Sequence, residues 1–335
     1  MTAFKKVIKI IVYTFLFAVV AVLLFNLFLN IDLFEFYSSS VSVGDVPGLS
    51  DGGVQQGFDY VADSNTLLTA CHMVTDSASR IYVTKDGKSI YTELKNEDGS
   101  DYMGHVGGIC HNGGYLYVGE SGGFKVFNLS DILAGGEARS VGKVELINTA
   151  SWCTVYNGYV YVGTFSDVVG DQYPPEPEYM IENPLVNGEI NCSILTVYKL
   201  SDAEGTSFGI DNSAPVNVIS TIGRIQGCAF HEDGTFVLAT SWGISHSGFY
   251  FYDMEKAAKN TLTYKEDGKE YPMFFLGTDS LIYKLEGPPM AEEIVIIDDK
   301  LYVMNEAASA KYIFGNFTDG RELYAIDLKD KWLGK

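Results

Sequence analysis

The sequence predicts an all-β body, folded as a five-bladed β-propeller, behind a single N-terminal transmembrane helix. Three observations predict it. A strand-turn-strand unit recurs along the chain, beginning near Gln56-Gly57, Gly107-Gly108, Trp152-Cys153, Gln226-Gly227 and Glu292-Glu293. The starts are about 51, 45, 74 and 66 residues apart, near the length of a four-stranded antiparallel blade where no insertion intervenes. The body carries all 35 glycines, against only 9 prolines in the whole chain, and shows almost no helical periodicity, which suits many tight turns. Finally, one apolar run near the N-terminus is long enough to cross a bilayer.

That run comes first in the chain. Lys5, Lys6 and Lys9 precede Ile10 to Leu29, which is interrupted only by Thr14 and Asn26. About 20 apolar residues span the hydrocarbon core as a helix, whereas the apolar part of a cleavable signal is shorter. Lysines before the span and Asp32 and Glu35 after it orient the body to the extracytoplasmic side. Residues 1–32 therefore read as a cytoplasmic tip and uncleaved anchor, and 33–335 as the propeller.

Within the body, a second strand repeats as Tyr115–Gly119, Tyr159–Gly163, Thr235–Ala239 and Lys300–Met304, each behind a turn such as Asn157-Gly158 or Asp233-Gly234. Asn-Gly and Asp-Gly supply the positive φ angles of tight hairpins. Third strands follow at Arg80–Thr84, Phe124–Asn128, Leu195–Lys199, Phe249–Asp253 and Glu322–Ile326. Alternating tyrosines and β-branched residues suit strands packed between neighbouring blades. The last unit ends without an outer strand, and Leu33 to Val43 is β-prone enough to supply it and so remove an open edge. The prediction is five blades, with six as the alternative, and an insertion at 167–193 carrying Tyr173-Pro-Pro-Glu-Pro-Glu-Tyr179.

With 43 acidic against 23 basic residues, the chain carries a formal charge of −20, which excludes nucleic acid as a partner because that binding depends on neutralising phosphates. Five cysteines, an odd number without CxxC spacing, give neither a disulfide framework nor a zinc signature. Three of them fall in innermost strands, where small buried thiols pack well, and a Cys153–Cys228 bridge or shared metal stays open. The cofactor is unknown; a calcium ion (Ca2+) in the central channel would leave no motif.

Function is expected where the blades converge. Aligning the units places Gln56, Gly107, Trp152, Gln226 and Glu292 at equivalent positions around the channel mouth. Amides beside an indole suit a sugar or peptide, so Gln56, Trp152, Gln226, Trp242 and Tyr312 are candidate ligand-binding residues. His105, Glu292 and Glu306 are the candidate acid and base groups. The chain contains no nucleophile elbow, phosphate loop, zinc helix or calcium loop.

The first unit, with Gln56-Gly57, Leu67–Ala70, Ser79–Tyr82 and Asp86-Gly-Lys88, resembles the opening blade of plant-type glutaminyl cyclases, which are five-bladed. That resemblance implies a cyclase-like acyltransferase. Where that family opens its blades with Glu-Gly, Glu-Gly-Trp-Gly and Asn-Glu-Leu-Glu, this chain has Gly107-Gly108, Trp152-Cys153 and Gln226-Gly227, and keeps an acidic opening at Glu292-Glu293. The fourth and fifth units also resemble uncharacterised secreted bacterial propellers. The expected function is a membrane-anchored binding module for a glycan, peptide or partner protein. The alternative is an enzyme (lyase, hydrolase or acyltransferase), which requires His105, Glu292 and Glu306 to meet at one cavity.

Overall fold

The computed structural model describes residues 2–169, 172–182, 190–312, 314–318 and 320–335; positions 170–171 and 183–189 of the insertion expected at 167–193 lie outside the described residues. Helix α1 (Thr2–Asp32) is followed by a short helix α2 (Phe34–Ser39), and nearly everything after them is strand. The apolar part of α1 is exposed and long enough to cross a membrane or to serve as a signal sequence.

The body is propeller-like. Its first unit is β2 (Gly53–Val61), β3 (Thr66–Met73), β4 (Arg80–Lys85) and β5 (Lys88–Lys95), preceded by β1 (Ser40–Asp45). The second is β6 (Ile109–Asn112), β7 (Tyr115–Glu120), β8 (Gly123–Asn128) and β9 (Gly136–Glu145). The third is β10 (Trp152–Tyr156), β11 (Tyr159–Gly163), β12 (Ser193–Leu200) and β13 (Asn217–Thr221). The fourth is β14 (Ile225–Phe230), β15 (Thr235–Thr240) and β16 (Ser247–Asp253), completed after a hairpin of β17 (Thr261–Glu266) and β18 (Lys269–Phe275) by β19 (Leu281–Gly287). The fifth is β20 (Ala291–Ile297), β21 (Lys300–Asn305) and β22 (Glu322–Asp327), and β1 pairs antiparallel with β22 as its outer strand.

First strands neighbour one another in cyclic order: β2 with β6, β6 with β10, β10 with β14, β14 with β20 and β20 with β2. Strand alternation explains how the ring is held. Each unit turns one set of side chains toward the preceding unit and the other toward the next. Val61, Leu68 and Ile81 of the first unit thus pack on Ile109, Leu116 and Phe127 of the second. Val160 and Tyr198 of the third meet Tyr117 and Val126, and Leu195 and Ile219 on its other side meet Phe236 and Leu238. Turn chemistry is as the sequence requires: Asn157 and Gly158 both hold positive φ, and so do Asp298 and Asp299, a strained choice for non-glycine residues.

One expectation is corrected in part. The strand that completes the last unit begins at Ser40, and residues 34–39, taken from sequence as part of it, are helical. Phe36 explains the difference, because its fully buried ring is wedged between Phe249 and Tyr324, a position that a helical turn reaches from α1. Glu35 fastens the same turn, accepting from Tyr283 and Trp332 and pairing with Lys331.

Strand directions define two ends of the body. The mouth end holds the starts of β2, β10, β14 and β20, the loops 74–79, 121–122 and 241–246, and the described residues that follow β11 and β21. Helix α1 leaves from this end: Asn26 Nδ2 donates to Phe317 O at 2.8 Å, and Asp32 lies 3.4 Å from His246. Helix α2 then runs down the outside, and β1 returns toward the mouth with Asp45 opposite Glu322.

Candidate functional site

The opening dipeptides of the units build the site through β-bulges. Register shifts between Gln55 and Phe58, between Ile225 and Gly227, and between Ala291 and Ile294 put an extra residue at the start of β2, β14 and β20. A bulge re-aims a side chain that regular alternation would send into the sheet. The first residues of these pairs, Gln56, Gln226 and Glu292, line a cavity of about 610 Å³ at the mouth. Gly107 lines it too.

The second residues of the pairs face the axis, and space there is short. A Cβ on Gly227 would lie 2.4 Å from Glu293 Cα, and one on Gly108 would lie 2.4 Å from Trp152 Cα and 2.6 Å from Glu293 Oε1. Glu293 itself fills the centre. Its Oε2 accepts from the backbone N–H groups of Phe58 and Ile109, each at 2.8 Å, and its Oε1 accepts from Cys153 N at 2.9 Å. Full burial raises its pKa well above the ordinary carboxylate value, against the opposing pull of those three donors. Among residues overlooked in the sequence this is the most central. The pattern Gly57, Gly108, Gly227, Glu293 contains the signal, one large acid where the other three positions are glycine.

Seven of the eight candidate residues stand on the wall of one cavity: Gln56, His105, Gln226, Trp242, Glu292, Glu306 and Tyr312. Trp152 does not. It is fully buried between the third and fourth units, with its ring over Gly163, its partner across the strand pair. A Cβ on Gly163 would lie 1.9 Å from the indole. The strand β10 lacks the bulge of β2, β14 and β20, so Ser151 takes the cavity position and residue 152 turns into the interface.

Glu292 and Glu306 are both buried, at 3% and 8% exposure. Gln226 Nε2 donates to Glu292 Oε1 at 3.3 Å, and Gln56 Nε2 to Glu306 Oε2 at 3.0 Å. Burial, followed by the neighbouring Glu306 charge, holds the Glu292 carboxyl well above its usual range. Glu306 is also raised by burial, against the attraction of Lys311 and hydrogen bonds from Tyr312 and Gln56. Two interacting carboxyls titrate as a pair, the charge on one holding the proton on the other.

The rest of the wall is aromatic and basic. Phe165, Tyr173 and Trp242 form a cluster with ring centroids 5.2, 5.7 and 6.1 Å apart. Tyr173 brings the first part of the insertion to the mouth, where Asp167 N donates to Tyr173 O and Arg224 pairs with Asp167 at 2.9 Å. Burial draws the Lys311 ammonium down, but Tyr312 and Glu306 outweigh it and keep its pKa above the usual value. His105 Nδ1 lies 3.2 Å from Nδ1 of His72, which stands outside the wall and was not singled out from the sequence. Burial and Lys311 depress His105; burial, His105 and Lys311 take His72 down to about 4, so both rings are neutral near pH 7.

All five cysteines are buried and free, and Cys110, Cys153 and Cys228 sit in β6, β10 and β14 as expected. A channel calcium fits poorly. The ion needs oxygen ligands, whereas the axis presents three N–H groups converging on one carboxylate. Among the described residues, no group of three or more His, Cys, Asp or Glu side chains could hold a metal ion.

No protein-family model matches the chain, and no curated protein matches it. Among solved structures it is similar to β-propeller proteins at low identity. Glutaminyl cyclase of Myxococcus xanthus is 8% identical, with a TM-score of 0.42 over 86% of this chain and 95% of that one. The PQQ-bound aldose sugar dehydrogenase of Streptomyces coelicolor is 11% identical, with a TM-score of 0.42 over 85% and 95%. A gluconolactonase of Xanthomonas campestris is 12% identical, with a TM-score of 0.40 over 87% and 89%.

Proposed function

We propose that the chain is an enzyme held at the outer surface of a membrane by α1, a five-bladed propeller whose mouth performs general acid–base chemistry on a small neutral ligand. The cyclic order of β2, β6, β10, β14 and β20 supports five blades over six. The lysines before α1 support an extracytoplasmic body. One observation carries the activity: Glu292 and Glu306 converge on a single cavity, buried and coupled, with amides holding each carboxyl.

In this reading Glu292, its carboxyl held well above its usual range by burial, is the acid that gives a proton to a leaving or polarised oxygen. Glu306, which feels the attraction of Lys311, takes a proton from the attacking group. Such groups contribute typically about 10²–10⁴-fold to rate. The ligand is polar and carries no net charge, because its apolar face can stack on Trp242 and Tyr173 while Gln56 and Gln226 reach its hydroxyl or amide groups, as in a sugar or a peptide amide.

The aromatic cluster equally favours a second reading, a binding module for the same ligands without turnover. One comparison separates the two. The full chain and its E292Q and E306Q variants are incubated with neutral glycans and peptides, and both retention and mass change of the ligand are followed. The enzyme reading expects conversion to fall about 100-fold or more while binding persists. Retention by all three proteins with no conversion by any leaves only the binding module.

A further inference from the structure

Helix α1 leaves the body at the same end as the cavity, and its depth in a bilayer can be counted along the helix. The apolar run ends at Leu29, yet Asn26, three residues or about 4.5 Å inside it, donates to Phe317 O. The loop around Phe317 is therefore fixed below the level at which the apolar run ends. On the other side of the helix, the 241–246 loop is held at Asp32 by His246.

Loop tips at this end are apolar. Ile244 is 76% exposed, Val169 79% and Phe317 55%, and Val74, Met103 and Val168 are exposed as well. A soluble face gains nothing from so many exposed apolar tips, whereas a face seated in a headgroup layer gains from each. The opposite end differs. Among its described loop residues Val216 is the large apolar side chain exposed, at 40%; exposed acids stand at both ends, Asp63 and Glu232 there and Asp76 and Glu178 at the mouth, so the ends differ in their apolar tips. Trp242 joins the two features, lining the cavity two residues before Ile244.

We propose that the mouth of the cavity opens onto the bilayer that α1 crosses and takes the polar headgroup of a lipid in that bilayer. For the chemistry that follows binding, the proposal rests on the acid–base reading of Glu292 and Glu306. The orientation does not depend on it. Exposed Lys311 at the rim suits the phosphate of a zwitterionic headgroup, whereas a chain of charge −20 is repelled by a strongly anionic surface. Locked by Phe36 and Glu35, α1 and the body hold this orientation as one piece.

The test uses the full chain in phosphatidylcholine nanodiscs. Because the native thiols are buried, an introduced surface cysteine takes an environment-sensitive fluorophore selectively. Labels on I244C, F317C and V169C are expected to be quenched several-fold more by a nitroxide lipid than a label on E232C at the far end, and shielded from aqueous iodide. Equal quenching at both ends overturns the orientation, and three mouth positions guard against one variant failing to fold.

The ligand is then tested with phosphatidylcholine, phosphatidylethanolamine and a neutral glycolipid against their water-soluble headgroups. Retention or conversion of one lipid only when it sits in the same bilayer supports the proposal. Equal action on the soluble headgroup, with or without a bilayer, overturns it and leaves the acid–base reading standing. Lipid retention that persists in E292Q with no conversion by the wild type sinks the acid–base reading and supports the lipid site.

Discussion

Replacing Glu293 should unlock the centre of the body. Its two oxygens accept three backbone N–H groups, from Phe58, Ile109 and Cys153, on the innermost strands of three different units. In E293A all three donors lose their partner in a fully buried place. An unsatisfied buried donor costs roughly 1–3 kcal/mol, so the expected loss is about 3–6 kcal/mol, allowing for water filling part of the space. In E293Q the amide oxygen still accepts from the two donors on one side, and only the Cys153 N–H faces an NH₂ group. The loss should then be about 1–3 kcal/mol. Urea unfolding of the full chain, followed by near-ultraviolet ellipticity, gives both values if the slope is unchanged. A cost below about 1 kcal/mol for E293A, or equal costs for the two variants, would refute the assignment of Glu293 as the acceptor that ties three units together.

Two further outcomes follow from the same structure. Because burial and mutual repulsion raise the Glu292 carboxyl, the folded protein binds more protons than the unfolded chain above the ordinary carboxylate pKa, so this group's contribution to stability falls as pH rises through its folded value. E292Q should lose that decline and gain on the wild type at alkaline pH; parallel stability curves from pH 4 to 9 would contradict it. F36A removes a fully buried ring that packs on Phe249 and Tyr324, and is expected to cost about 3–5 kcal/mol and to make the 33–45 segment sensitive to protease. Unchanged digestion would show that α1 is not fixed through this ring.

The repeating strands could be read from sequence because alternation and turn chemistry are local properties. Tyr115–Gly119 and Phe249–Asp253 both lie in strands, and each needs only its neighbours in sequence to be recognised. The bulges could not be read this way. They decide that Gln56, Gln226 and Glu292 reach the cavity, yet a bulge is a relation between two strands and leaves no trace in one dipeptide. Trp152 went astray for the same reason, since its strand is regular and Gly163 opposite leaves room for the indole inside the interface. Residues 34–39 have β-prone composition, but the helix before them and the pocket for Phe36 outweigh local preference. Glu293 was passed over beside Glu292 because two adjacent acids look interchangeable until the axis is known.

The pairing of β1 with β22 also sets an order of events during synthesis. Ser40 finds its partner Ile326 only after nearly the whole chain has been made. Until then the strand behind the two N-terminal helices waits with an open edge, and the four complete units before the last one must collapse beside it without their closing clasp. Such a long-range pairing is slow to form and leaves the waiting edge free to pair wrongly with another chain. The N-terminal strand of the body is thus both the first part to emerge and the last to be paired, and a chain cut short before Glu322 would leave the ring open at that strand.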